Sequence, residues 1–163
     1  INNSSEQQAF ICQKLESVFA TVFRQVAMNR FEQKMHDGRK EHGELSSDQL
    51  NSYWMQTQKE MFQESVTLGD DYQIWWSYIP HFLSTPGYVY SYAFGELLVL
   101  ALYGLYQKQG NEFVEKYLNL LASGGSASPY ELMKPFAIEL NKPEFWNQGL
   151  GVIDTMLQEV EGM

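Results

Sequence analysis

The sequence has little with which to bind nucleic acid, cross a membrane or staple itself. Its 163 residues contain eleven lysines and arginines against twenty acidic residues, a net charge of −9. A surface of that sign repels a phosphate backbone, which excludes a general nucleic-acid binder. The single cysteine, Cys12, has no internal partner for a disulfide and is read as a quiet thiol within a helix. No apolar run approaches the length of a transmembrane helix, so no membrane partner is expected. No basic-then-apolar leader opens the chain, and the simplest compartment is the cytoplasm. The first residue is Ile1 rather than Met, so the expectation is a piece of a longer chain. Histidine occurs three times, as His36, His42 and His81, never as an HExxH pair. His36, Asp37, Glu41 and His42 are a weak metal-ligand set, because they straddle a glycine and sit in a polar stretch.

What is present points to helices. Apolar residues recur three, four and seven apart from Phe10 through Leu15, Val18, Val22, Phe31 and Met35, the period of an amphipathic helix. This predicts one long helix from about Glu6 to Met35, ended at Asp37-Gly38. Ser46 or Ser47 starts a second, through Leu50, Trp54 and Met61 to Gly69-Asp70. A short helix covers Tyr72 to Tyr78, and Pro80 to Gly87 reads as a connector. From Tyr88 to Gln109 the only charges are Glu96 and Lys108. A segment so apolar all round is expected to be buried at the centre of a bundle, with Gly95 and Gly104 allowing close packing. Helices from Asn111, from Pro129 to Phe136 and from Pro143 to Val160 complete the chain, with Ser128-Pro129 as a cap and first-turn proline. No stretch sustains strand alternation. The fold class is therefore all-α, a multi-helix bundle, with residues 1–163 forming a single helical domain. All fourteen acidic and five basic residues after Leu45 make the excess negative charge a property of that part alone.

One segment carries candidate chemistry. "WWSYIPHFLSTPGYVYSYAFG" brings His81 close in sequence to Tyr88, Tyr90 and Tyr92. Imidazole and phenol can both donate a hydrogen bond to a carbonyl oxygen as it gains charge. Residues four apart share a helix face, so Tyr88 and Tyr92 go together and Tyr90 points away from them. On the residues alone, a set of amphipathic core aromatics accounts for the same pattern.

Several blocks resemble the oligoendopeptidase F family, within the thimet-oligopeptidase-like zinc metallopeptidases. They are "TVFRQVAMNRFEQKMH" at 21–36, with its Phe-Glu pair, "GELSSDQLNSYW" at 43–54, "WSYIPHFLSTPGYVYSYAFG" at 76–95 and "YLNLLASGGSASPYELMKPFAIEL" at 117–140. The resemblance covers about nine-tenths of the chain and is to the C-terminal portion of such enzymes. It implies a larger helical, zincin-like metalloendopeptidase that hydrolyses short peptides in a deep channel. It also implies Zn in the intact parent, held by HExxH residues upstream, with none bound by this fragment and no activity of the fragment alone. By the same resemblance His81 hydrogen-bonds substrate, Tyr90 stabilises the oxyanion, and Tyr88 and Tyr92 contact substrate. The partners implied are short peptides and the upstream catalytic region of the parent. His81 and Tyr90 are expected to line a common groove.

The sequence departs from the family where Gly87 replaces a usual aromatic, where Phe94 replaces a usual Thr, and where "FAIEL" lacks a following glycine-aspartate pair. Two other readings stay open. One is a non-catalytic helical peptide-binding or protein-interaction domain that uses the same aromatic cleft. The other is a remnant whose first helix pairs with a second copy as a homodimer.

Overall fold

A computed structural model describes residues 4–162. Eight α-helices order the described residues: α1 (Ser4–Thr21), α2 (Phe23–His42), α3 (Ser47–Phe62), α4 (His81–Ser84), α5 (Tyr90–Gln109), α6 (Asn111–Ser123), α7 (Pro129–Leu132) and α8 (Pro143–Glu161). Two 3-10 segments, Asp70–Tyr78 and Lys134–Phe136, lie between them. The described residues contain no strand, so the fold is all-α. No described helix is long and apolar enough to cross a membrane. The chain divides into two compact units. One is Ser17–Phe94; the other joins the chain up to Glu16 with Gly95 onwards.

The first long helix does not stop at Asp37-Gly38. It is interrupted for one residue at Val22, where the Val22 N–H still reaches the Val18 carbonyl at 2.7 Å, and continues as α2 to His42. Gly38 is buried inside α2 because Tyr53 of α3 lies against it. A Cβ there would fall 2.8 Å from the Tyr53 hydroxyl. The true stop is Gly43, at φ +83°. Ser46 then starts α3 with a reciprocal capping box to Gln49. That helix ends at Phe62, well short of Gly69, because Gln63 turns to φ +49° and its N–H closes on the Lys59 carbonyl.

The Ser17–Phe94 unit packs α2, α3 and the following segments on one aromatic core. Phe31 is wholly buried, with ring centroids 5.4 Å from Trp54, 5.0 Å from Phe82 and 6.2 Å from Trp76. Met28, Ile79 and Val89 fill the same cluster. Two of its aromatics find polar partners: the Trp76 indole donates to Asn51 at 2.8 Å, and the Tyr72 hydroxyl donates to Gln58 at 3.2 Å, whereas the buried Trp54 indole N–H has none. Burial pushes the Tyr72 hydroxyl above its ordinary pKa, against the pull of the Arg24 guanidinium, and keeps it a donor.

The other unit packs Ala101 and Leu102 of α5, Phe113 of α6 and Phe145 of α8 with Met133, Phe136, Ile138 and Leu140. The Trp146 indole donates to the Leu140 carbonyl at 2.8 Å. The expectation that α5 is buried on most of its surface is corrected. Ala93, Leu100, Ala101 and Leu102 are buried, but Val99, Tyr103 and Tyr106 are exposed. They line an apolar groove of about 330 Å³ with Phe113, Val114 and Tyr117 of α6. Tyrosine tolerates this because its hydroxyl stays in water while its ring covers a neighbour.

The close glycine contact is also elsewhere. A Cβ on Gly95 would meet nothing within 4 Å and one on Gly104 only a Val152 methyl at 3.6 Å, whereas one on Gly149 would sit 2.8 Å from the Leu97 carbonyl oxygen. Gly149→Ala should therefore destabilise by about 1–3 kcal/mol, since backbone cannot rotate out of the way. Gly151→Ala, two residues on with nothing within 4 Å, should stabilise by up to about 1 kcal/mol through helix propensity. Urea midpoints of the two variants moving in the same direction would refute this account of α8.

Candidate active site

His81 to Tyr92 is held by its apolar residues. Ile79, Phe82, Val89 and Ala93 are buried, and they alternate with side chains that reach water. His81 opens the single-turn helix α4, whose end is closed by the Thr85 N–H on the His81 carbonyl at 3.0 Å. The chain then turns through Thr85-Pro86-Gly87-Tyr88, with the Tyr88 N–H on the Thr85 carbonyl at 3.3 Å. Gly87 stands at φ +75°. Proline second and a positive φ third match a type II turn, which gives a conformational reason for glycine here instead of an aromatic. The Tyr88 carbonyl then accepts from the Ser91 N–H at 3.0 Å as α5 begins.

This path brings three rings together. His81 Nε2 and the Tyr92 hydroxyl are 3.1 Å apart. The Tyr88 and His81 rings are nearly parallel with centroids 6.0 Å apart, and Tyr88 and Tyr92 meet edge to face at 5.5 Å. Tyr90 takes part in none of these contacts and is 55% exposed; α5 starts only at Tyr90, so Tyr88 stands in the turn before it and the helix face expected to join Tyr88 with Tyr92 is not formed. Chemically, the His81–Tyr92 pair leaves one polarised donor over in either tautomer. If Nε2–H donates to Tyr92, the phenolic hydrogen is free; if Tyr92 donates, Nδ1–H is free. Tyr88 and Tyr92 are themselves partly exposed, so the leftover donor borders solvent.

Glu32 is the participant that sequence reasoning missed. Its side chain lies on the buried side of α2 and accepts the Gly87 N–H at 2.6 Å. The available signal was a carboxylate set among Met28, Phe31 and Met35 on the apolar stripe. Cys12 is half-buried, and His36 and His42 are exposed.

The described residues include no group of three or more His, Cys, Asp or Glu side chains able to hold a metal ion. His36 and His42 each approach one carboxylate, at 3.8 Å and 3.6 Å, and His81 faces phenols. The residues present do not fit a zinc site, which needs three or four converging ligands.

Among the described residues, an all-α chain thus presents a histidine–tyrosine pair near its surface and no metal-ligand cluster. The comparison with known families narrows this. The model of peptidase family M3 matches residues 1–152, and the chain belongs to that family. It is 29% identical over 147 residues to the oligopeptidase PepF of Bacillus subtilis, covering 90% of this chain and 22% of that protein. It is 28% identical over 159 residues to the plasmid oligoendopeptidase F of Lactococcus lactis subsp. cremoris, covering 98% of this chain and 26% of that one. A crystal structure of a candidate peptidase from Chlamydophila abortus superposes with a TM-score of 0.91 at 28% identity, over 99% of this chain and 27% of that one. The chain thus spans about a quarter of the length of these relatives.

Proposed function

We propose that this chain is the channel-wall region, near the C-terminus, of a metalloendopeptidase that hydrolyses short peptides. Its part is to hold the peptide and donate hydrogen bonds to the carbonyl under attack. The observation that carries this reading is the 3.1 Å contact between His81 and Tyr92 in a chain of peptidase family M3. A donor already polarised by a neighbour stabilises a developing oxyanion without reorganising at the moment of reaction. Tyr88 packs its ring on the pair and so limits the rotamers of both. Tyr90, exposed at the start of α5, supplies a second hydroxyl for the peptide. The described residues gather no metal-ligand cluster, so a zinc ion in the parent would take its ligands from elsewhere in that protein.

The test is peptide hydrolysis by the full-length protein that carries this segment. His81→Ala and Tyr92→Phe should each lower kcat/KM by about 10²–10³. A rise in KM with kcat intact would instead leave these two residues a role in peptide binding alone. Losses below about tenfold for both variants defeat the proposal.

A further inference from the structure

We infer that Glu32 is a positioning residue that holds the Thr85–Tyr88 turn in the one conformation that presents Tyr88 to His81. Glu32 is 2% exposed, although nothing cationic is buried with it; its nearest basic neighbour, His36, has Nε2 3.8 Å from Oε1 and an exposed ring. A buried carboxylate is costly, so its hydrogen bonds are what retain it. Oε1 takes the Gly87 N–H at 2.6 Å, and Oε2 is buried with no partner in the protein.

The geometry of the turn explains what that one bond does. The Thr85 carbonyl and Tyr88 N–H close the turn, which leaves the Gly87 N–H unused. In a type II turn the central peptide is flipped relative to type I, so that N–H lies on the face where type I would place the Pro86 carbonyl. Glu32 meets it there. Flipping the peptide back would turn the Pro86 carbonyl oxygen toward the carboxylate, which repels it. The acceptor on α2 therefore selects between two turn conformations that Pro86-Gly87 alone leaves open. Its neighbour in sequence holds the other end of the segment, since the Phe31 ring packs on Phe82, beside His81, at 5.0 Å. One Phe-Glu pair on a rigid helix thus fixes both His81 and Tyr88. The stacking of those two rings, nearly parallel at 6.0 Å, is the product of the two anchors.

The experiment uses the full-length protein with 3-fluorotyrosine at position 88, read by fluorine NMR, beside peptide hydrolysis. Glu32→Leu fills the space without an acceptor. It should shift or split the fluorine line and lower kcat/KM by about ten- to hundredfold, mainly in kcat. Glu32→Gln keeps a carbonyl acceptor. It should restore the parent line and hold kcat/KM within about threefold of the parent, the difference between a neutral and a charged acceptor. A merely structural role predicts no such rescue of the line in step with kcat. Should Glu32→Leu not fold, Gly87→Ala disturbs the same turn from its other side. The added methyl meets nothing within 4 Å, so only the positive φ is strained, and the line should again move. A parent-like line in Glu32→Leu or, failing that, in Gly87→Ala overturns the inference. The kinetic arm rests on the proposed peptidase role and the fluorine arm does not. If His81→Ala leaves hydrolysis untouched while Glu32→Leu moves the line, the peptidase reading falls and the positioning role stands.

Discussion

Phe31→Ala should destabilise the Ser17–Phe94 unit by about 3–5 kcal/mol, the usual cost of removing a buried aromatic. Phe31 has no exposed surface, and three other rings contact it. Those rings come from α3, the 3-10 segment and α4, so no single element can move in to fill the space. Edge-to-face and tilted ring pairs add to the lost burial by about 0.5–1.5 kcal/mol each. Against a typical total of about 5–15 kcal/mol, the loss is a large share. Phe10→Ala is the control, because Phe10 is 61% exposed and should change stability by no more than about 0.5 kcal/mol. Urea melts followed by tryptophan emission read both, since Trp54 and Trp76 report on the Phe31 cluster itself. A Phe31→Ala midpoint as close to the parent as that of Phe10→Ala would show that this core is not what holds the unit.

The second large effect concerns catalysis. The losses expected for His81→Ala and Tyr92→Phe correspond to about 2.7–4 kcal/mol each. If the two side chains act as one hydrogen-bonded donor, the losses should not add. The double variant should then fall little further than the worse single one, as groups that act as a unit behave. Tyr90 provides the contrast. The sequence resemblance gives it the oxyanion role, yet its ring has no contact with His81 or Tyr92 and stands largely in water. A hydroxyl that nothing polarises or orients has less to contribute to a transition state. Tyr90→Phe should therefore cost at least about tenfold less than Tyr92→Phe in kcat/KM. The reverse order would return the oxyanion role to Tyr90 and reduce the His81–Tyr92 bond to packing.

The two histidine and tyrosine roles differ from the Glu32 role in how they were open to view. His81 and the three tyrosines stood out because they cluster within a dozen residues, but the spacing that paired Tyr88 with Tyr92 assumed a helix from Tyr88, and α5 begins at Tyr90. Glu32 lies 55 residues from the glycine it binds. Nothing in a linear reading connects a charged residue on one helix with a backbone N–H on a distant turn. Gly149 belongs to the same kind. Its partner is the Leu97 carbonyl on another helix, while Gly95 and Gly104, which look better placed in the more apolar helix, face no backbone at all.

The chain's own sequence determined where α3 and α7 start. Ser46 with Gln49, and Ser128 with Pro129 and Glu131, satisfy free N–H groups within four residues of themselves, so their effect needs no distant partner. It also determined the helical class, because the 3.6-residue apolar period is a property of consecutive residues. Tertiary structure decided where helices end and which glycines are close contacts. Asp37-Gly38 breaks an isolated helix, but here Tyr53 packs into the space left by the missing side chain, and burial of that ring outweighs the propensity loss of about 1 kcal/mol. It decided as well that Tyr88 faces His81, because the Glu32 carboxylate on α2 accepts the Gly87 N–H and holds the turn that leads into Tyr88. Short-range hydrogen bonds act within a turn of chain and are written in neighbouring residues; packing and buried hydrogen bonds depend on which surfaces meet, and that exists only in the folded molecule.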